Sequence, residues 1–135
     1  MGTPRGIRNN NPGNIRKSTT KWQGEIAGTD PAFERFSAPV WGIRALAVIL
    51  LNYERQHGLH TIRDIVTRWA PPDENDTDAY VRFVSARSGI DPDTKIKVPD
   101  HLESLLPAFI AQENGQQPYA TDLIAHACQL ARESK

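Results

Sequence analysis

Glu113 is a carboxylate placed where an apolar residue is due. Leu102, Leu105, Leu106, Phe109 and Ile110 recur at three- and four-residue steps, the spacing of one helix face. Position 113 continues that face, four residues after Phe109 and two before the helix-ending Gly115. Partial burial and the negative end of a helix both disfavour a charged carboxylate. Such a placement suits a general acid that works near neutral pH. The plainer alternative is that Glu113 leaves the core for solvent or pairs with an arginine. A second polar concentration is the run Asn9-Asn10-Asn11-Pro12-Gly13-Asn14, with Arg8 and Arg16 at its flanks. Proline fixes φ there, while Gly and Asn tolerate positive φ, so the run forms a turn. Its amides offer donors and acceptors that also suit sugar hydroxyls and N-acetyl groups. Tyr80 shares a helix face with Val84, which fits core packing or a hydroxyl aimed at a carboxylate.

Several function classes are excluded at the outset. Basic and acidic residues balance at sixteen each, which removes the electrostatic case for nucleic acid. One cysteine, Cys128, cannot form an internal disulfide, and with four scattered histidines no zinc-site spacing emerges. Neither a metal nor a cofactor is expected. The longest apolar run, Ala45 to Leu51, is too short to span a bilayer, so no membrane partner is expected. The start, Met1 to Arg5, lacks the apolar stretch of a secretory signal. With 135 residues, a single domain over positions 1–135 is expected, acting as a monomer.

The elements that must position these residues follow from periodicity. Lys21 to Ile26 and Phe33 to Phe36 alternate large apolar with polar residues, which predicts two short strands, a small N-terminal hairpin. Ser37 and Pro39 open a helix through Val40, Ile43, Leu46, Leu50 and Tyr53, closed by Gly58. Thr61 and Asp64 read as the cap of a short helix ending before Pro71-Pro72. A third helix begins after Asp73 to Asp78 and ends at Gly89. Asp100 with Glu103 reads as a capping pair for the Glu113 helix, which Pro107 should kink. A last helix covers 121–133. The fold class is α+β and mostly helical.

Three segments resemble known motifs. Ile110-Ala111-Gln112-Glu113-Asn114-Gly115 resembles the helix end that bears the catalytic glutamate in lysozyme-like enzymes, with Asn114 in place of the usual serine. Glu74-Asn75-Asp76-Thr77-Asp78-Ala79-Tyr80-Val81 resembles the glutamate–threonine–x–x–tyrosine–valine signature of lytic transglycosylases. Two extra residues separate Glu74 from Thr77, so Thr77 and Tyr80 transfer better than Glu74. Asn10 to Ile15 is similar to the Asn-rich turn of flagellar-type muramidases. In those families the glutamate helix comes first, whereas here it follows the turn and the tyrosine helix. A circular permutation accounts for that order, and chain ends that lie close together make one cheap. The chain from Arg5 through Trp69-Ala70-Pro71-Pro72 also resembles small phage and prophage proteins.

The resemblance implies a lysozyme-like, circularly permuted domain that cleaves peptidoglycan glycan strands as a muramidase or lytic transglycosylase. Glu113 would be the catalytic acid/base, and Asn10, Asn11, Asn14, Thr77, Tyr80 and Glu74 would bind substrate. A hydrolase also wants a second carboxylate, for which Asp30, Glu25, Glu34 and Glu74 are candidates. Of the tryptophans Trp22, Trp41 and Trp69, the last is the one placed to line a groove. The chain would be made in the bacterial cytoplasm and act in the periplasm or cell wall. A lysis pore, a virion or a secretion or injection machine would deliver it. Two alternatives stand beside this reading. One is a non-catalytic virion or tail protein that kept the fold. The other is an antibacterial toxin with the same chemistry and an immunity protein as partner.

Overall fold

The computed structural model describes residues 2–134 and is mostly helical, with one small antiparallel sheet. In chain order the elements are α1 (Arg5–Arg8), β1 (Glu25–Ile26), β2 (Arg35–Phe36), α2 (Pro39–His57), α3 (Ile62–Trp69), α4 (Thr77–Ser88), α5 (Leu102–Asn114) and α6 (Thr121–Glu133). Residues Val98–Asp100 add one 3-10 turn ahead of α5.

Two helices organise the packing. On α5, Leu102, Leu105, Leu106, Phe109 and Ile110 are all fully buried, so the apolar face read from spacing is the core face. On α2, Ile43, Leu46, Ala47 and Leu50 enter the same core, which Ile124, Ala127, Cys128 and Ala131 of α6 complete. The helices α2 and α6 pack on each other, and α5 packs on α4, which in turn meets α3. The other side of α2 carries Ala45, which joins Ile15 and Phe36 in a smaller cluster under Trp22, Trp41 and Trp69. That second cluster ties the N-terminal third to the helices. Gly42 makes the close approach possible, because a Cβ there would overlap the Asn10 carbonyl.

Several helix ends match the expected signals. Thr61 Oγ1 accepts from Asp64 N at 3.1 Å, and Asp76 Oδ1 accepts from Ala79 N at 3.1 Å. Helices α2, α4 and α5 each end on a glycine of positive φ, at 58, 89 and 115.

Other expectations need correction. The strands shrink to two residues each, with Glu25 opposite Phe36 and Ile26 opposite Arg35. Ser37 does not cap α2, which begins after Ala38 without a side-chain cap. Asp100 and Glu103 form no capping pair: α5 starts behind His101, and Glu103 turns to Arg132 of α6. Helix α1 has only four residues, too few for a periodic signal. Among the described residues no helix is long and apolar enough to cross a membrane.

Candidate active site

The Asn-rich turn folds back on α5 across almost the whole chain. Asn10 and Asn14 both adopt φ of 53°, the left-handed conformation that Asn tolerates better than most side chains. Asn114 Nδ2 donates to Pro12 O at 2.8 Å and to Ile110 O at 2.9 Å, which docks the turn on the helix end. One residue earlier, the Glu113 carboxylate accepts from three side chains. Asn14 Nδ2 donates to Oε1 at 3.0 Å, Tyr80 Oη–H to Oε2 at 2.9 Å and Trp69 Nε1 to Oε2 at 3.2 Å. Their sequence separations from Glu113 are 99, 33 and 44 residues. A turn, α3 and α4 thus hold one carboxylate at the end of α5. Phe109 stands behind it, edge-on to Trp69 with ring centroids 6.0 Å apart and tilted against Tyr80 at 5.6 Å.

Among the described residues Glu113 pairs with no arginine, and both its oxygens accept hydrogen bonds within the protein. Trp69 and Asn14 Nδ2 can only donate. The Tyr80 hydroxyl can donate or accept, so it can serve Oε2 whether or not that oxygen carries a proton. Burial and the Glu113 carboxylate drive the Tyr80 phenol well above its ordinary range, so it stays a neutral hydroxyl.

Glu113 opens on a groove of about 300 Å³. Asn14, Arg16 and Phe33 line it together with Trp69 and Ala70 and with Glu74 and Asn75 of the α3–α4 loop. Cys128 is remote from this chemistry, because burial in the core pushes its thiol up to about 12. Among the described residues no three His, Cys, Asp or Glu side chains gather as a metal would require.

Of the residues expected to bind substrate, Asn14 and Glu74 lie on the groove. The other four do not line it, and Tyr80 instead makes the carboxylate contact that its helix face allowed. Asn11 is fully buried: its Nδ2 donates to Ile15 O and Glu34 O at 3.0 Å each, and its Oδ1 accepts from Ile15 N at 3.0 Å. Asn10 Nδ2 donates to Phe36 O at 3.0 Å. Thr77 Oγ1 donates to Ala70 O at 2.5 Å, holding α4 to the end of α3, and lines a neighbouring cleft instead. Tyr80 is only 4% exposed, so it acts on Glu113 and does not face the groove.

The candidates for a second carboxylate also separate. Asp30 is clamped by Arg5 at 2.5 and 2.6 Å and accepts from Ala32 N and Phe33 N. The Arg5 guanidinium holds its carboxyl far below the usual carboxylate range. Glu25 and Glu34 line a different cleft, beside β1. Burial, with Glu25 beside it, raises Glu34 above the ordinary range. Glu74 alone of the four shares the groove with Glu113.

Gly6 of α1 and Asn114 carried no signal as site residues in the sequence, because their partners are distant along the chain. A Cβ on Gly6 would stand 2.6 Å from Asn14 Oδ1, 2.7 Å from Asn114 Oδ1 and 2.8 Å from the Asn11 carbonyl. Both side-chain oxygens are buried without a conventional donor, so the Gly6 Cα–H is the group they face. Gly6→Ala must push Asn14 away from Glu113 or lift α1. The expected cost is about 1–3 kcal/mol, read as a lower urea midpoint. An unchanged midpoint would show that α1 does not brace the turn.

Over 124 residues the chain is 44% identical to Protein P5 of Pseudoalteromonas phage PM2. The match covers 89% of this chain and 77% of that protein. No protein-family model matches the chain.

Proposed function

The chain belongs to the family of Protein P5 of Pseudoalteromonas phage PM2, and we propose that it cuts the glycan strands of peptidoglycan with Glu113 as acid/base. One observation carries the reading: Glu113 ends an otherwise apolar helix face, is fixed by Asn14, Trp69 and Tyr80, and opens on a groove. The convergence of the turn, the tyrosine helix and the glutamate helix also supports a lysozyme-like arrangement in permuted order.

In the proposed reaction the Glu113 carboxyl protonates the oxygen between N-acetylmuramic acid and N-acetylglucosamine, and the C1–O bond breaks. In the transglycosylase route the muramyl 6-hydroxyl attacks C1 and returns its proton to Glu113, leaving an anhydro end. In the hydrolytic route water attacks C1 and gives its proton to a carboxylate, a role for which Glu74 is the candidate because it lines the same groove. Asn14 and Trp69 fix the carboxylate's orientation, and misplacement of about an ångström can cost on the order of a hundredfold in rate. The test is release of soluble fragments from dye-labelled sacculi by the purified chain. Steady release supports the proposal, and none across a range of pH and salt removes it.

A specific observation favours a second reading. A carboxylate that accepts three internal donors is also a structural tie between helices. In a non-catalytic virion component, sacculi would stay intact and Glu113→Gln would read as lost stability alone.

A further inference from the structure

One cation of the groove is paired with no anion, although the carboxylates of Glu74 and Glu113 line the same groove. Arg16 lies on its wall, exposed to solvent, with its guanidinium 5.1 Å from the centroid of the Phe33 ring. Among the described residues it has no hydrogen-bond or ion-pair partner. Arg5 lies over the same ring at 4.3 Å, but the Asp30 carboxylate engages it through two nitrogens. Arg8, on the far flank of the turn, donates to the Thr3 carbonyl. Asp30 also caps the backbone at Ala32 and Phe33, so the ring under Arg16 is set on a rigid corner. Stacking on that ring restricts the guanidinium without neutralising it. The result is an oriented fork donor with no ion-pair partner, on the groove that Glu113 and Glu74 also line.

We propose that Arg16 is an anion subsite that takes a carboxylate carried on the 3-substituent of a bound amino sugar. This rests on the reading of the groove as a glycan site and adds what distinguishes one strand from another. A guanidinium pairs with a carboxylate through two parallel N–H···O bonds, which a neutral sugar cannot supply. The carboxylate has two sources, the lactyl group itself or an acidic residue of the attached peptide. Both belong to muramyl sugars and neither to a plain N-acetylglucosamine polymer.

The test needs no turnover. Three disaccharides that lack the scissile bond are titrated into the wild-type chain: GlcNAc–MurNAc with its peptide, the same sugar without peptide, and chitobiose. The Trp69 indole N–H resonance reports groove occupancy by nuclear magnetic resonance. At least one carboxylated sugar should bind about threefold to tenfold tighter than chitobiose, the range of an exposed charge-assisted pair. Raising salt from about 50 to 500 mM should shrink that difference. Arg16→Gln should abolish it, while Arg16→Lys should restore much of it. Peptide-bearing against peptide-free sugar identifies which carboxylate is held. Chitobiose binding as tightly as both muramyl sugars, or an Arg16→Gln chain that keeps the preference, overturns the subsite and leaves the glycan reading intact. No shift of the Trp69 resonance with any sugar overturns both. Preference for muramyl sugars in a chain that never cleaves sacculi keeps the subsite and removes the catalysis.

Discussion

Glu113→Gln is expected to lower glycan-strand cleavage at least about a hundredfold, the usual scale of general acid catalysis, in a chain that remains folded. Glutamine keeps the length and the carbonyl acceptor, so Trp69 Nε1 and the Tyr80 hydroxyl retain a partner. The Asn14 amide loses its acceptor at Oε1 unless it turns over, and Gly6 crowds the space on its other side. The midpoint of thermal unfolding should therefore fall by only a few degrees, about what one weakened hydrogen bond costs a domain of this size. The proton for the leaving oxygen has no other donor in the groove so well held. A mutant with more than about a tenth of the wild-type rate contradicts the assignment. Loss of activity together with gross unfolding would return Glu113 to the role of a structural tie.

The second large effect separates two asparagines three residues apart. Asn11→Ala strands two buried backbone groups, Ile15 N and Glu34 O, while Ile15 O keeps the Glu34 N–H as its donor. Each buried group left unpaired costs about 1–3 kcal/mol, so the variant should lose at least about 2 kcal/mol of stability. Asn14→Ala removes one donor from Glu113 at a half-buried position. It should cost little stability and about tenfold in catalytic efficiency, through misplacement of the carboxylate. Because Asn14 has φ of 53°, Asn14→Gly belongs beside it to separate backbone strain from the lost donor. Urea unfolding read against initial rates distinguishes the pair. The division fails if Asn11→Ala is as stable as wild type, or if Asn14→Ala keeps full activity.

These two residues also mark where sequence reading succeeds and where it stops. The left-handed turn was legible, because Pro, Gly and Asn announce their dihedrals locally. Which amide faces inward was not, since the carbonyl of Glu34 lies 23 residues from Asn11. The long helices were legible for the same reason that α1 was not: periodicity needs several turns to register. Asp100 and Glu103 carry a valid local capping signal, but Arg132 supplies a tertiary partner that Glu103 takes instead. Of the Glu113 cluster, Tyr80 and Asn14 were singled out through the motifs that contain them. From sequence Trp69 reads as a groove residue, whereas its indole donor to Glu113 depends on the end of α3 meeting α5 in the fold. The breadth of the carboxylate list has the same origin. Composition offers Asp30, Glu25, Glu34 and Glu74 alike, and only the fold distributes them among a salt bridge, a separate cleft and the groove.

Mass spectrometry of sacculi digested by the purified chain tests the central claim most directly. It reads which bond is cut and what end is left. Cleavage between N-acetylmuramic acid and N-acetylglucosamine is expected, absent in the Glu113→Gln digest. Anhydro-muramyl ends would mark the route that uses the 6-hydroxyl, whereas reducing muramyl ends would mark hydrolysis assisted by Glu74. Glycan strands that stay full-length, or fragments cut only within their peptides, would contradict the account.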